Sequence, residues 1–179
     1  MRFVDLTRPH PEQPEPTHPL THLDLFYARQ PLPMAFFVSP CVMLDARGAT
    51  GGLITTQDVG GVAGVQPGDA VIIRTGWERC AGTKEYDQSP SVSRELLDAL
   101  LQRKVRLILV DSPGVAGGAS GELHNETDQY IVDRGAFPVE NLTGLAALEG
   151  AGRFTLYCFP LPLEGKNALP VRAVAGLEG

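Results

Sequence analysis

Three of the four histidines fall in two short segments that also carry carboxylates: His18-Pro19-Leu20-Thr21-His22-Leu23-Asp24, and His124-Asn125-Glu126-Thr127-Asp128 followed by Glu140. Imidazole nitrogen and carboxylate oxygen together suit zinc or manganese, and a bound divalent ion lowers the pKa of its water to about 7. Such an ion would supply a hydrolytic nucleophile without a serine or cysteine. In extended chain His18, His22 and Asp24 stand at even offsets and project to one side, because strand side chains alternate with period 2. His124 and Asp128 are one helical turn apart and share a helix face. The spacing around His18 and His22 also suits a solvated polar loop.

The elements that must position these groups can be read from apolar pattern and punctuation. Phe3 to Leu6 is a strand candidate, and the prolines at 9, 11, 14, 16 and 19 then forbid a helix and favour extended or turn backbone. Val42–Leu44 and Ala70–Ile73 read as interior strands, as does Val105–Val110, because short β-branched runs bounded by glycine or charge fit a buried sheet. Ser91 to Lys104 predicts a helix with Val92, Leu96, Leu97, Leu100 and Leu101 on one face and a cationic last turn. A second helix is expected from His124 to Arg134, closed by Gly135 in the left-handed conformation, after which Glu140 should open a new element. Val115 to Gly121 reads as a flexible glycine-rich connection without a phosphate-loop pattern. Phe154–Phe159 and Leu169–Ala175 are closing strands on either side of a turn at 165–167. The pattern taken by itself predicts an α/β fold richer in strand than in helix.

Composition removes several classes of function. A chain of 179 residues, 43% hydrophobic, is expected to fold as a single domain over residues 1–179 with a substantial core. A formal net charge of -6 without a Lys/Arg cluster argues against a nucleic-acid partner, which needs a basic stripe against phosphate. No apolar run has membrane-spanning length, and Met1–Thr7 has no leader-like apolar stretch, so a cytoplasmic protein without a membrane partner is expected. Cys41, Cys80 and Cys158 read as free thiols. Trp77 and Tyr86 are expected in packing, and Arg74 and Arg172 in pairs with buried carboxylates.

In the same register, His18, Thr21, His22 and Asp24 match the signature H-x-G-T-H-x-D-x-P-x-H, which resembles that of the kynurenine formamidase-like, cyclase-family metal-dependent hydrolases. Gly68-Asp69-Ala70-Val71-Ile72-Ile73-Arg74-Thr75-Gly76-Trp77 is similar to the family's G-D-x-V-L-I-R-T-G-W strand. Val110-Asp111-Ser112-Pro113 is similar to its D-[ST]-P strand end, and Glu140-Asn141-Leu142-Thr143 to its E-N-L-[TA] segment. The resemblance implies a swivelling β/β/α-type mixed sheet core with flanking helices, assembled as a homodimer or homotetramer. It implies one or two zinc or manganese ions on His18, His22, Asp24, Asp128 and Glu140, with Asp24 able to bridge them and Asp128 standing where the family has histidine. The implied reaction is hydrolysis of a formamide, cyclic amide or lactone by a metal-activated water, on a small-molecule substrate lying near Phe26 and Tyr27.

The departures from the signature bear on the proton. The third signature histidine is Ala28, the glycine is Leu20 and the proline is Phe26, while the segment that forms a lid in the family is short between Leu6 and His18. Proton transfer to the leaving group is therefore expected from His124 first, then Glu126, Tyr27 or bound water. The same departures suit a non-catalytic relative that binds a small ligand or a partner.

Overall fold

The computed structural model describes residues 1–9, 20–24, 32–49, 52–118, 121–164 and 166–178. Its elements in chain order are β1 (Arg2–Asp5), β2 (His22–Asp24), β3 (Val38–Asp45), β4 (Leu53–Ile54), β5 (Ala70–Arg74), β6 (Ser91–Val92), α1 (Arg94–Leu101), β7 (Leu107–Val110), α2 (Glu122–Val132), β8 (Phe137–Glu140), β9 (Phe154–Pro160) and β10 (Ala168–Leu177). The expected mixed α/β architecture is present. Strands β3, β5, β7 and β8 run parallel, with α1 between β5 and β7 and α2 between β7 and β8, as parallel neighbours require a crossover. The remaining pairs in the large sheet are antiparallel. Because β9 pairs with both β3 and β10, the sheet closes on itself in the order β10-β2-β8-β7-β5-β3-β9.

Closure explains why the parallel strands read as unbroken apolar runs. Ala70 and Ile72 of β5, with Leu107 and Leu109 of β7, point into one core that also holds Leu23, Val139, Leu156 and Cys158. Val71, Ile73, Ile108 and Val110 alternate to the opposite face and pack against Leu96, Leu97, Leu100 and Leu101 of α1 and Ile131 of α2. Both faces of these strands are buried, so neither can be polar. No helix among the described residues is long and apolar enough to cross a membrane.

Four expectations are corrected. The first helix starts at Arg94 rather than Ser91, because Ser91 and Val92 pair with Leu53 and Ile54 while Ser93 caps the helix by accepting Leu96 N–H at 3.1 Å. It ends at Leu101, after which Lys104 turns left-handed with φ 58°. Glu140 closes β8 instead of opening an element. The described part of the glycine-rich connection is tightly packed, not loose: a β-carbon on Gly118 would stand 1.5 Å from the Asp87 carbonyl oxygen, and one on Gly117 2.4 Å from that of Ser89. Arg74 and Arg172 do pair with carboxylates, but with the exposed Glu149 at 2.7 Å and the exposed Asp5 at 2.6 Å. All three cysteines are buried and free, and the expected turn at 165–167 includes a residue outside the described ones.

The two strand-end motifs meet each other. Fully buried Asp111, just past β7, accepts the Thr75 N–H and Thr75 hydroxyl at 2.7 Å each and the Gly76 N–H at 2.8 Å. Its carboxylate thereby satisfies the backbone donors of the turn that follows β5, where Gly76 sits at φ 78°.

Candidate metal centre

The site is assembled by one strand pairing and one helix. Leu23 and Val139 point into the core, so their neighbours His22, Asp24 and Glu140 lie on the outer face of β2 and β8. The antiparallel register sets His22 directly opposite Glu140. Helix α2 packs against β8 and brings His124 and Asp128, four residues apart, over the same patch. The His22 Nε2 atom is then 3.1 Å from Asp24 Oδ2 and 3.4 Å from Glu140 Oε2, while His124 Nε2 is 3.1 Å from Asp128 Oδ2 and 3.7 Å from Glu140 Oε2.

The donor set fits a divalent cation. One ligand atom from each of Asp24, His124, Asp128 and Glu140 lies within 4.8 Å of all the others, close to the span of atoms that each sit about 2.0–2.2 Å from a common ion. All three carboxylates are buried, yet Asp24 Oδ2, both oxygens of Asp128 and Glu140 Oε2 receive no hydrogen bond among the described residues. Buried carboxylate oxygens without a donor are costly unless a cation compensates them. His22 is oriented from behind: its Nδ1 lies 2.7 Å from the Leu20 carbonyl oxygen, an arrangement that assigns a proton to Nδ1 and turns Nε2 toward the carboxylates. Glu140 keeps one oxygen occupied by the Val115 N–H at 3.2 Å.

Crowding of charge in a dry site moves the protons. Burial pushes the Glu140 carboxyl up to about 7, with the Asp128 and Asp24 charges adding to it against the pull of His22. Burial also raises Asp128, partly offset by His124. The contact with Asp128 lifts His124 to about 9 in spite of desolvation, and the Glu140 charge contributes in the same direction. For His22, desolvation disfavours the cation, but contacts with Asp24 and Glu140 outweigh it and hold its pKa well above the ordinary histidine value. In the metal-free protein the cluster therefore holds protons where an ion would place positive charge.

Of the residues singled out by sequence, the structure brings His22, Asp24, His124, Asp128 and Glu140 together. His18, Phe26, Tyr27 and Ala28 lie outside the described residues. Glu126 is not brought there: it is exposed, and two residues from both His124 and Asp128 put it roughly 200° around α2 from either. His124, expected as a proton carrier, also stands as a ligand-capable nitrogen.

Two contributors were not singled out by the sequence reading. Gly114 forms a cradle for the His124 ring, since a β-carbon there would stand 2.7 Å from Cε1, 2.8 Å from Nδ1 and 3.1 Å from Glu140 Oε1. Gly114→Ala should therefore displace the His124 imidazole and weaken divalent-ion affinity by about tenfold while leaving the unfolding midpoint of the metal-free protein nearly unchanged. Competition with a chelating dye measures the first quantity and thermal melting the second; unaltered affinity would remove the cradle. The other contributor, Asn141, is fully buried at φ 60°, unusual for a residue other than glycine. Its carbonyl accepts the Thr21 hydroxyl at 2.8 Å and its Oδ1 the Tyr86 hydroxyl at 2.8 Å, locking the end of β8 to the segment that precedes His22. Its place in the Glu140-Asn141-Leu142-Thr143 segment was the sequence signal for it.

The sequence pattern of the family described as putative cyclase matches residues 5–116. The kynurenine formamidase of Salinibacter ruber is 29% identical over 170 residues, covering 88% of this chain and 75% of that protein. Among solved structures, isatin hydrolase A from Labrenzia aggregata superposes with a TM-score of 0.80 at 20% identity, over 97% of this chain and 93% of that one. A structure described as a potential metal-dependent hydrolase with cyclase activity superposes with a TM-score of 0.75 at 22% identity, over 97% and 96%. At these identities the structural likenesses are likenesses of fold.

Proposed function

The chain belongs to the putative cyclase family, and we propose that it is a metal-dependent hydrolase of the C–N bond of a formamide or cyclic amide, or of the ester bond of a lactone. The observation that carries this reading is the convergence of Asp24, His124, Asp128 and Glu140 in a buried cluster in which Asp24 Oδ2, both Asp128 oxygens and Glu140 Oε2 receive no hydrogen bond among the described residues. The relatedness to a kynurenine formamidase supports the choice of bond. Zinc or manganese, as one or two ions, suits the mixed imidazole and carboxylate donors. When bound, such an ion makes water nucleophilic at neutral pH and polarises a carbonyl oxygen.

The protein's own groups divide the remaining work. Asp24, Asp128 and Glu140 supply the negative charge that retains a cation, and the Leu20 carbonyl fixes the tautomer and direction of His22. His124 is the most accessible of the clustered side chains, at 18% against 5% or less for the others, so we assign it to proton exchange with a bound molecule rather than to the ion, which the three carboxylates and His22 would then hold. With Ala28 at the third signature position, we assign the service of the leaving group to His124 ahead of bound water.

Elemental analysis of the purified protein, followed by assays of the chelated and the zinc- or manganese-loaded forms on aryl formamides and cyclic amides, tests the proposal. Stoichiometric metal and metal-restored hydrolysis are expected; a protein that takes up no metal, or a loaded one that hydrolyses none of these substrates, overturns it. His124→Ala should lower kcat by about 10²-fold or more while the carboxylates and His22 keep the ion. Loss of metal in that variant would reassign His124 as an indispensable ligand. Assembly as a homodimer or homotetramer is part of the proposal, checked by light scattering.

A further inference from the structure

We infer that Arg8 marks an anion subsite, distinct from the metal centre, that takes the carboxylate of a small apolar monoanion. A cavity of about 370 Å³ opens beside Arg8, walled by Thr7, Leu20, Thr21, Pro170 and Val171, and none of Asp24, His124, Asp128 or Glu140 lines it. Its size lies near the lower end of the range of small-molecule sites.

Among the described residues the charges around the cavity do not cancel. Asp5 and Arg172 both line it, but they neutralise one another through contacts of 2.6 and 3.1 Å. Among the described residues no carboxylate lies within ion-pair distance of Arg8; its guanidinium is held instead by Tyr86, whose hydroxyl it contacts and whose ring centroid lies 4.6 Å away. Tyr86 carries no compensating charge, because burial pushes its phenol up to about 12. The tyrosine proton is already donated to Asn141 Oδ1 at 2.8 Å, leaving the phenolic oxygen to accept from Arg8.

Arg8 is thus an arginine oriented by a neutral residue at the wall of a cavity, with no carboxylate among the described residues to offset its positive charge. A guanidinium has five N–H donors in a planar fork, and the donors not directed at Tyr86 match the two oxygens of a carboxylate. The walls formed by Leu20, Pro170 and Val171 suit an apolar body behind that group. A single net charge favours a monocarboxylate over a phosphate dianion.

The inference goes beyond the hydrolase proposal and stands without it, which the experiment exploits. Calorimetric titration would compare phenylacetate, the neutral phenylacetamide and inorganic phosphate on the wild-type protein, Arg8→Gln and Glu140→Gln, all treated with chelator. Phenylacetate should bind wild type and Glu140→Gln equally, and Arg8→Gln at least about tenfold more weakly. Phenylacetamide should bind wild type at least about tenfold more weakly than the acid, and phosphate should not compete. Equal affinity of wild type and Arg8→Gln, equal affinity for acid and amide, stronger binding of phosphate, or no saturation by phenylacetate would each overturn the subsite. Binding abolished in Glu140→Gln would place the anion at the metal centre instead. Should Arg8→Gln fail to fold, amide shifts on addition of phenylacetate to the wild type decide the matter: they must centre on Thr7, Arg8, Thr21 and Val171, and shifts centred on α2 would overturn it.

Discussion

Replacing Glu140 with glutamine is expected to abolish stoichiometric divalent-ion binding and hydrolysis together, while leaving the metal-free protein at least as stable as the wild type near neutral pH. Glu140 is completely buried, and Oε2 has no hydrogen bond among the described residues. In the absence of an ion burial raises its pKa, and the charges of Asp128 and Asp24 add to the rise against the pull of His22. Glutamine preserves the shape and can still accept the Val115 N–H, but it removes one negative charge from a dry site. The wild type should gain about 2.7 kcal/mol of stability at an ion concentration about 100 times the dissociation constant. For a chain of this size that gain corresponds to roughly 5–10 °C in Tm. The variant should show none of it. A Glu140→Gln protein that retains its ion and the full thermal shift would show that the cluster is not the metal centre.

The second large effect is a stability of the metal-free protein that falls as pH rises. Glu140 titrates near 7 in the folded chain against an ordinary 4.5, and His124 near 9 against 6.5. Both folded-state values are raised, so the native state holds more protons than the unfolded chain across these intervals. The free energy of unfolding must therefore decrease from about pH 4.5 to about pH 9. The upward shifts of His22 and Asp128 act in the same sense. The exposed Asp45, which Arg47 holds down at about 2, works oppositely but only below the ordinary carboxylate range. Ion binding displaces the cluster's protons, so stabilisation by metal should grow over the interval in which the metal-free protein weakens. Thermal unfolding of chelated and ion-loaded samples between about pH 5 and 9 measures both curves. A metal-free midpoint that climbs with pH would contradict the proton distribution given for the cluster.

Much of the scaffold was legible because it depends on local pattern. Ala70–Ile73 and Leu107–Val110 are β-branched or apolar at every position, and a sheet buried on both faces is the arrangement that satisfies them. The start of α1 was misplaced because Val92 continues its apolar face in sequence, while the pairing of Ser91 and Val92 with Leu53 and Ile54 is a long-range contact. Glu126 was equally plausible beside His124 and Asp128 by residue type, and only its angular position on α2 removes it. The cradle at Gly114 had no sequence signal, since a glycine's need for space depends on what is packed against it.

By itself, the sequence determined which atoms were available and how they repeat: His22 and Asp24 two apart on extended chain, His124 and Asp128 four apart on a helix. Those relations follow from covalent geometry and the periods of strand and helix. Tertiary structure alone decided that the two pairs meet around Glu140, through the β2–β8 register and the seat of α2, and that water is excluded where they do. Desolvation and Coulomb energy act through space rather than along the chain, so the raised proton affinities and the demand for a cation arise only once the fold has closed.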